Sequence, residues 1–431
     1  MGAPAMKLDA AGALLAGWAE PSGESGWAQA ARARAARRLM ERGAPTRRDE
    51  YWRFTDPASL ISSPGPAAAL RAADGEAPVF DGVARVRLVF VDGVFAPELS
   101  DAPEIAGVEI QPLRVALRSD IHWARDVFGV IEARGQEPVD RPLASLNTAR
   151  ACEGVAIRVT GRAAAPVNLV YLRRDVRADA LMRHVIRLEA GTDLTLLENG
   201  SGAARLNSVV EIDVADGAAF HHVRAQGRDH ERRAATAMFA RLGREARFKS
   251  FTLTANGRLT RNESVIEFAG EGGFATVAGA CVGDGDFHQD DTVFVTHGAF
   301  GCESRQVFKK VLRGGAVGVF QGKILVKPGA QKTDGYQISQ ALLLDDDSQF
   351  LAKPELEIYA DDVKCSHGST CGAVDETALF YLTSRGVPKR EAEGLLVLAF
   401  LDEAIAEIED EGLANDIRGR LGAWVARRQQ A

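Results

Sequence analysis

From about Val79 to Tyr359 apolar and polar residues alternate in short, β-branched segments punctuated by glycine, as in VRLVFVDGVF, VAIRVTG, VNLVYLRR, HVIRLEAG and SVVEIDVADG. A period of two puts every second side chain on one face, so these segments predict strands with a buried side. A longer period lies over the short one. An apolar residue, five mostly small or polar residues containing Gly or Asp, and a second apolar residue recur as LEAGTDL, VADGAAF, LGREARF, FAGEGGF, FVTHGAF and later LDDDSQF. The first five close on Leu194, Phe220, Phe248, Phe274 and Phe300, in steps of 26, 28, 26 and 26 residues. Two strands of about 7 to 10 residues plus two turns fill such a unit. The unit cannot bury its own apolar face, but stacking on its neighbours does so while pairing each backbone edge, which predicts a β-solenoid. A β-sandwich built from the same hairpins is the alternative architecture.

The pattern is helical on either side. WAQAARARAARRLMERG, from Trp27 to Gly43, is rich in helix formers and ends on a capping glycine, with its arginines expected on a solvated face. The following APTRRDEYWRFTDPASLISSPGP is broken by Pro and Ser, and Tyr51, Trp52 and Phe54 in it are expected as packing anchors. Near the C-terminus DETALFYLTSRG opens on a capping Asp375, the next segment opens on Pro388, and Leu413, Ile417, Leu421 and Trp424 form one apolar stripe. LLVLAFL, Leu395 to Leu401, is apolar nearly all round and calls for cover on several sides. The expected organisation is a helical region over 1–78, a β-solenoid over 79–360, and a strand end plus helices over 361–431.

Composition narrows the function. With 431 residues and 46% apolar content the chain is long enough for a sizeable core. Its 52 basic against 59 acidic residues, net −7, lack the basic excess that nucleic-acid binding needs. The N-terminus does not read as a signal peptide and the longest apolar run is far short of the roughly 18 residues that span a bilayer, so a cytoplasmic protein is expected. Five cysteines, Cys152, Cys281, Cys302, Cys365 and Cys371, are an odd and sparse set that favours free thiols over a disulfide framework.

Several enzyme signatures are absent. GVFQGKI lacks the first glycine and the hydroxyl of a phosphate loop, so no nucleotide is expected on this chain, and GEGGFA at Gly270 has strand-like sequence on both sides instead of a following helix. His221 and His222 are consecutive, hence one inward and one outward. The acid pairs Asp290 with Asp291, Asp345 to Asp347, and Asp361 with Asp362 read as turn residues, not as the acids of a polymer-cleaving β-helix enzyme, which is the competing functional class. What remains is EIYADDVKCSHGSTCG, where a strand would put Cys365 and His367 on one face and Ser366 on the other. A thiolate beside an imidazole suits iron or zinc. A complete site needs about four ligands, and this stretch offers two, with Cys371 as a third candidate.

The block QGKILVKPGAQKTDGYQISQALLLDDDSQFLAKPELEIYADDVKCSHGSTCG, the DETALFYLTSRGVP after it and the N-terminal PTRRDEYWRFTD closely resemble the SufB/SufD family of iron–sulfur cluster assembly proteins, with KCSHG resembling the SufD branch. The resemblance implies a right-handed parallel β-helix between helical ends. It also implies a non-catalytic scaffold that pairs with a SufB subunit and binds a SufC ATPase through its C-terminal helices, with sulfur delivered by a cysteine desulfurase. The cluster would be transient, formed at the SufB/SufD seam by His367 together with a cysteine of SufB, with Cys365 as an auxiliary thiolate. A homodimer of the isolated chain is left open. Cys371 departs from the family pattern and is given no role.

Overall fold

The structure, a computed structural model, describes residues 3–70, 78–227 and 229–430, the side chains of 3, 4 and 428–430 excepted. Its centre is a parallel β-solenoid of about 7 turns. Successive strands alternate between a ten-stranded and a nine-stranded sheet, so Val167–Leu172, Asp193–Gly200, Ala219–Gly227 and Arg247–Ala255 stack in one wall while Asp179–Leu188, Arg205–Val214 and Arg233–Leu242 stack in the other. The solenoid is therefore the correct one of the two architectures. Its two ends differ. At the N-terminal end the hairpin Val86–Val91 with Val94–Phe95 borders one sheet, and Val108–Pro112 runs antiparallel to Val155–Val159 at the border of the other. At the C-terminal end the sheets stop on the parallel strands Gln349–Ile358 and Lys364–Gly372, each the last of its sheet.

Register follows the ladder more faithfully than it follows the turn motif. Leu194, Phe220 and Phe248 pair in one buried column, with the Phe220 and Phe248 rings 5.6 Å apart and tilted by 24°. The next partner is Ala275, not Phe274, and after it come Ser304, Gly335 and Cys365. Phe274 turns to the other face beneath Lys249, and Phe300 lies exposed in a turn. The turns beyond Phe248 change length, and a single-residue slip swaps the faces of a strand, so counting from turn to turn loses the inward column.

The lumen is not purely apolar. Glu198 accepts hydrogen bonds from Arg224 Nη2 at 2.7 Å and Tyr171 Oη at 2.9 Å, and its Oε1 lies 3.0 Å from His222 Nε2, all four residues being buried. Burial pushes the Glu198 carboxyl up, but Arg224 and His222 outweigh it and hold it well below the usual carboxylate range. His222 faces this network while His221, half-buried, faces Glu409 outside, as consecutive strand positions require. Asp290 and Asp291 correct the turn reading: both are buried inside strand His288–His297. Asp290 pairs with Arg261 and accepts a 2.6 Å hydrogen bond from Thr55, whereas Asp291 accepts one of 2.6 Å from Lys310 Nζ. Asp345 does sit in a turn, accepting from the backbone of Asp347 and Ser348.

Helices α1 (Ala3–Ala16) and α2 (Gly26–Arg42) pack with one another, α2 ending at Gly43 with φ of 80°. Arg32 is buried, not solvated, bound to Glu24 at 2.7 Å and to the carbonyls of Thr148 and Ala151. Three further helices, α3 (Ala58–Ile61), α4 (Leu113–Arg118) and α5 (Ile131–Arg134), lie in the N-terminal half with α6 (Pro142–Arg150). The last three interrupt the expected run of strands, because Leu113, Leu117, Ile131 and Ala144 find an apolar partner in the outer face of the nine-stranded sheet at Val185, Val209 and Phe239. Tyr51 and Trp52 are buried anchors: Arg261 Cζ lies 4.2 Å from the Trp52 ring, and the Tyr51 hydroxyl donates to Glu355 of the last strand in that sheet.

The C-terminal helices are α7 (Glu376–Ser384), α8 (Lys389–Ile405) and α9 (Glu411–Gln430). The stripe Leu413, Ile417, Leu421 and Trp424 is buried with Val397 and Leu401 against Phe251, Leu253, Ala280, Val307 and Val311 on the ten-stranded sheet. Ion pairs border this contact: Lys309 with Glu403, Arg305 with Glu407 at 3.9 Å, and Lys249 with Glu409 at 2.6 Å. Leu395 remains exposed, so the cover expected for that segment is one-sided.

Two outcomes follow. Phe248→Ala removes a fully buried ring from the column and lowers stability by about 3–5 kcal/mol, read as a lower urea midpoint with an unchanged m value. Burial lowers the His184 and His297 imidazoles from the ordinary 6.5 to about 4. The unfolded chain therefore binds protons that the folded chain refuses between those values, so stability is full above 6.5 and falls as pH drops toward 4. Each ring contributes up to about 1.4 kcal/mol per pH unit in that window. Urea titrations across it, repeated with His297→Asn, should show the slope and the loss of one share.

Candidate functional site at the open end of the solenoid

The last strand, Lys364–Gly372, adds to Asp334–Leu343 in parallel register, with Gly335 beside Cys365, Gln337 beside His367 and Ala341 beside Cys371. Side chains tie the two rungs: Ser339 and Ser369 hydroxyls are 2.6 Å apart, and Gln340 Nε2 donates to Thr370 at 3.1 Å. The columns containing Gly335, Gln337 and Ala341 are inward ones, so Cys365, His367 and Cys371 continue the lumen wall to its rim, and Ser366 faces away.

The three positions differ in cover. Cys365 is half-buried and packs with Ile324, Val326, Ala330 and Ala360. Gly335 makes room for it, since a Cβ there would stand 3.3 Å from Cys365 Sγ. Burial pushes the Cys365 thiol up, against the backbone N–H of Gly335. His367 and Cys371 are exposed. Cys281 is buried with its thiol pushed up to about 12, Cys302 is buried, and Cys152 is half-buried, all away from the rim strand. Among the described residues no three His, Cys, Asp or Glu side chains come together to hold a metal ion. The ligand pair expected from sequence is thus present and adjacent, on one face of one strand, without a third ligand beside it.

Among the described residues both rim strands leave an edge without a neighbour, and Leu344, Ile358 and Tyr359 are exposed in or just beyond the strands of this end. Unpaired edges of this length are normally covered, and a second chain can add to them by strand pairing. Behind the rim stand residues that pattern reading overlooked: Gln306 and Gln337 are fully buried in the His367 column. The signal for them was an amide in phase with the inward Phe308 on one strand and the inward Ala341 on the next.

The stack thus ends on antiparallel strands on one side and on parallel strands on the other, and the last parallel strand carries an imidazole and thiols on an edge to which a further strand can add. Residues 173–400 match the family described as "SUF system FeS cluster assembly, SufBD core domain". The chain is 30% identical over 396 residues to the iron–sulfur cluster assembly protein SufD of Escherichia coli, covering 89% of this chain and 90% of that protein. It is 27% identical over 402 residues to an iron–sulfur cluster assembly SufBD family protein of Synechocystis, covering 87% and 86%, and 30% identical over 175 residues to SufD of Bacillus subtilis, covering 41% and 40%. The chain belongs to the SufB/SufD family, in its SufD branch.

Thiol accessibility gives the check on this geometry. Brief treatment of the folded protein with iodoacetamide should label Cys371 first and Cys365 more slowly, while Cys281 and Cys302 react only after denaturation. Peptide mass spectrometry over a time course reads the order, and early labelling of Cys302 would contradict it.

Proposed function

We propose that this chain is a non-catalytic scaffold subunit of an iron–sulfur assembly complex in the cytoplasm. It pairs with a SufB-type subunit at the open end of the solenoid and binds a SufC-type ATPase through its C-terminal helices. A cysteine desulfurase system supplies the sulfur, and ATP is hydrolysed on the ATPase subunit and not on this chain. His367 is the imidazole ligand to iron, and Cys365 is an auxiliary thiolate. The nascent cluster is cargo, so incomplete ligation by this chain suits its release.

The observation that carries this reading is the exposed imidazole on the free edge of an open solenoid end, with too few ligands beside it. Ligands from a second subunit would complete the set. Two further features support it. Phe380, Tyr381 and Leu395 are exposed on α7 and α8, an apolar surface suited to a partner domain. The competing enzyme reading loses its best acid pair, because Asp290 and Asp291 are buried in ion pairs on opposite faces of a strand.

Co-purification with SufB-type and SufC-type subunits should give a stable ternary complex. Anaerobic reconstitution with iron and sulfide should then yield the visible absorption of a cluster. His367→Ala leaves the complex assembled and reduces the cluster to the level obtained without this chain, and Cys365→Ser lowers it only in part. Normal cluster yield with His367→Ala would defeat the proposal.

A further inference from the structure

Gln306 and Gln337 occupy successive rungs of the column that ends on His367, and both are completely buried. Among the described residues the Nε2 and Oε1 atoms of both amides meet no hydrogen-bond partner. A buried polar atom left unpaired costs about 1–3 kcal/mol, so amides at these positions call for a partner beyond those already named. The Gln337 amide is also specifically housed. A Cβ on Gly322, in the facing sheet, would fall 2.5 Å from Gln337 Nε2 and 2.7 Å from its Oε1. The absence of a side chain at Gly322 therefore lets the amide lie across the lumen one rung below the rim, where the next residue in its own column is His367.

We propose that Gln337 is a positioning residue for His367, holding the imidazole in one orientation and one tautomer through one bridging water. An imidazole that binds metal through one nitrogen is normally oriented by a hydrogen bond at the other, and loss of such a partner costs about 10-fold to 100-fold in metal affinity or activity. The amide has both a donor and an acceptor, so it serves whichever ring nitrogen faces the lumen. Gln306, one rung deeper, backs the amide but does not neighbour the ring. This rests on the proposed role of His367 for its consequence, but not for its structural test.

That test is nitrogen-15 NMR of the full chain labelled at histidine, in alkaline buffer, with His367→Ala to assign the ring signals. Gln337→Met and Gln337→Leu keep the bulk of the side chain without hydrogen bonding, and Gln306→Met is the control. In the unsubstituted protein His367 should show the separated nitrogen shifts of one tautomer. Both Gln337 variants should move those shifts toward the averaged values of an unconstrained ring, with the other histidines unchanged, and Gln306→Met should not. In the reconstituted complex the Gln337 variants should retain cluster about 10-fold to 100-fold less well, with subunit assembly intact. His367 shifts that are the same in the parent and in both Gln337 variants overturn the inference. Should His367→Ala leave reconstitution intact while Gln337→Met moves the ring shifts, the ligand role falls and the positioning contact stands.

Discussion

Each strand of a parallel solenoid hydrogen-bonds to the turn below and offers an equal edge to the turn above. Within the stack every edge is satisfied, and the only question is what happens at the two ends. Antiparallel strands terminate the N-terminal end by running against the grain of the sheets. Among the described residues the C-terminal end has no such stop: Gln349–Ile358 and Lys364–Gly372 continue the parallel order and then cease. The same strand that carries the free edge carries Cys365 and His367, so the proposed site and the proposed partner surface are one element.

Charge inside the stack serves a related purpose. Glu198 with Arg224 and His222, and Asp291 with Lys310, occupy rungs where an apolar ladder would have no preference for one register over the next. A slip of one rung would leave such ions unpaired in the lumen, at a cost of several kcal/mol, so the network acts as an index mark for the winding. On the outside, Asp290 and Arg261 fasten the N-terminal segment at Thr55 and Trp52, and Glu355 receives Tyr51 at the level of the last rung. The position of the rim is thereby fixed from both faces of the nine-stranded sheet.

Much of this was legible in the chain. Alternation with period two, overlaid by a repeat of about one solenoid turn, predicts stacked rungs, and strand geometry alone puts Cys365 and His367 on one face. Three things were not legible. The column passes from Phe248 to Ala275 because ladder pairing, not turn spacing, fixes which residue faces in. The helices from Leu113 to Arg150 form where a sheet face offers apolar cover, a tertiary effect that local pattern does not record. Asp290 and Asp291 look like turn acids until Arg261 and Lys310, distant in sequence, arrive beside them. The amides of Gln306 and Gln337 fall in the same class: their burial is a property of the rungs around them.

The ion pairs from Glu403, Glu407 and Glu409 reach Lys309, Arg305 and Lys249, which lie on two strands of the ten-stranded sheet with another strand between them, and the apolar cluster of α8 and α9 packs on the same three. This is the sheet whose free edge bears His367. A load applied to α8 or α9 is thus spread in shear over several hydrogen-bonded ladders instead of peeling one strand away.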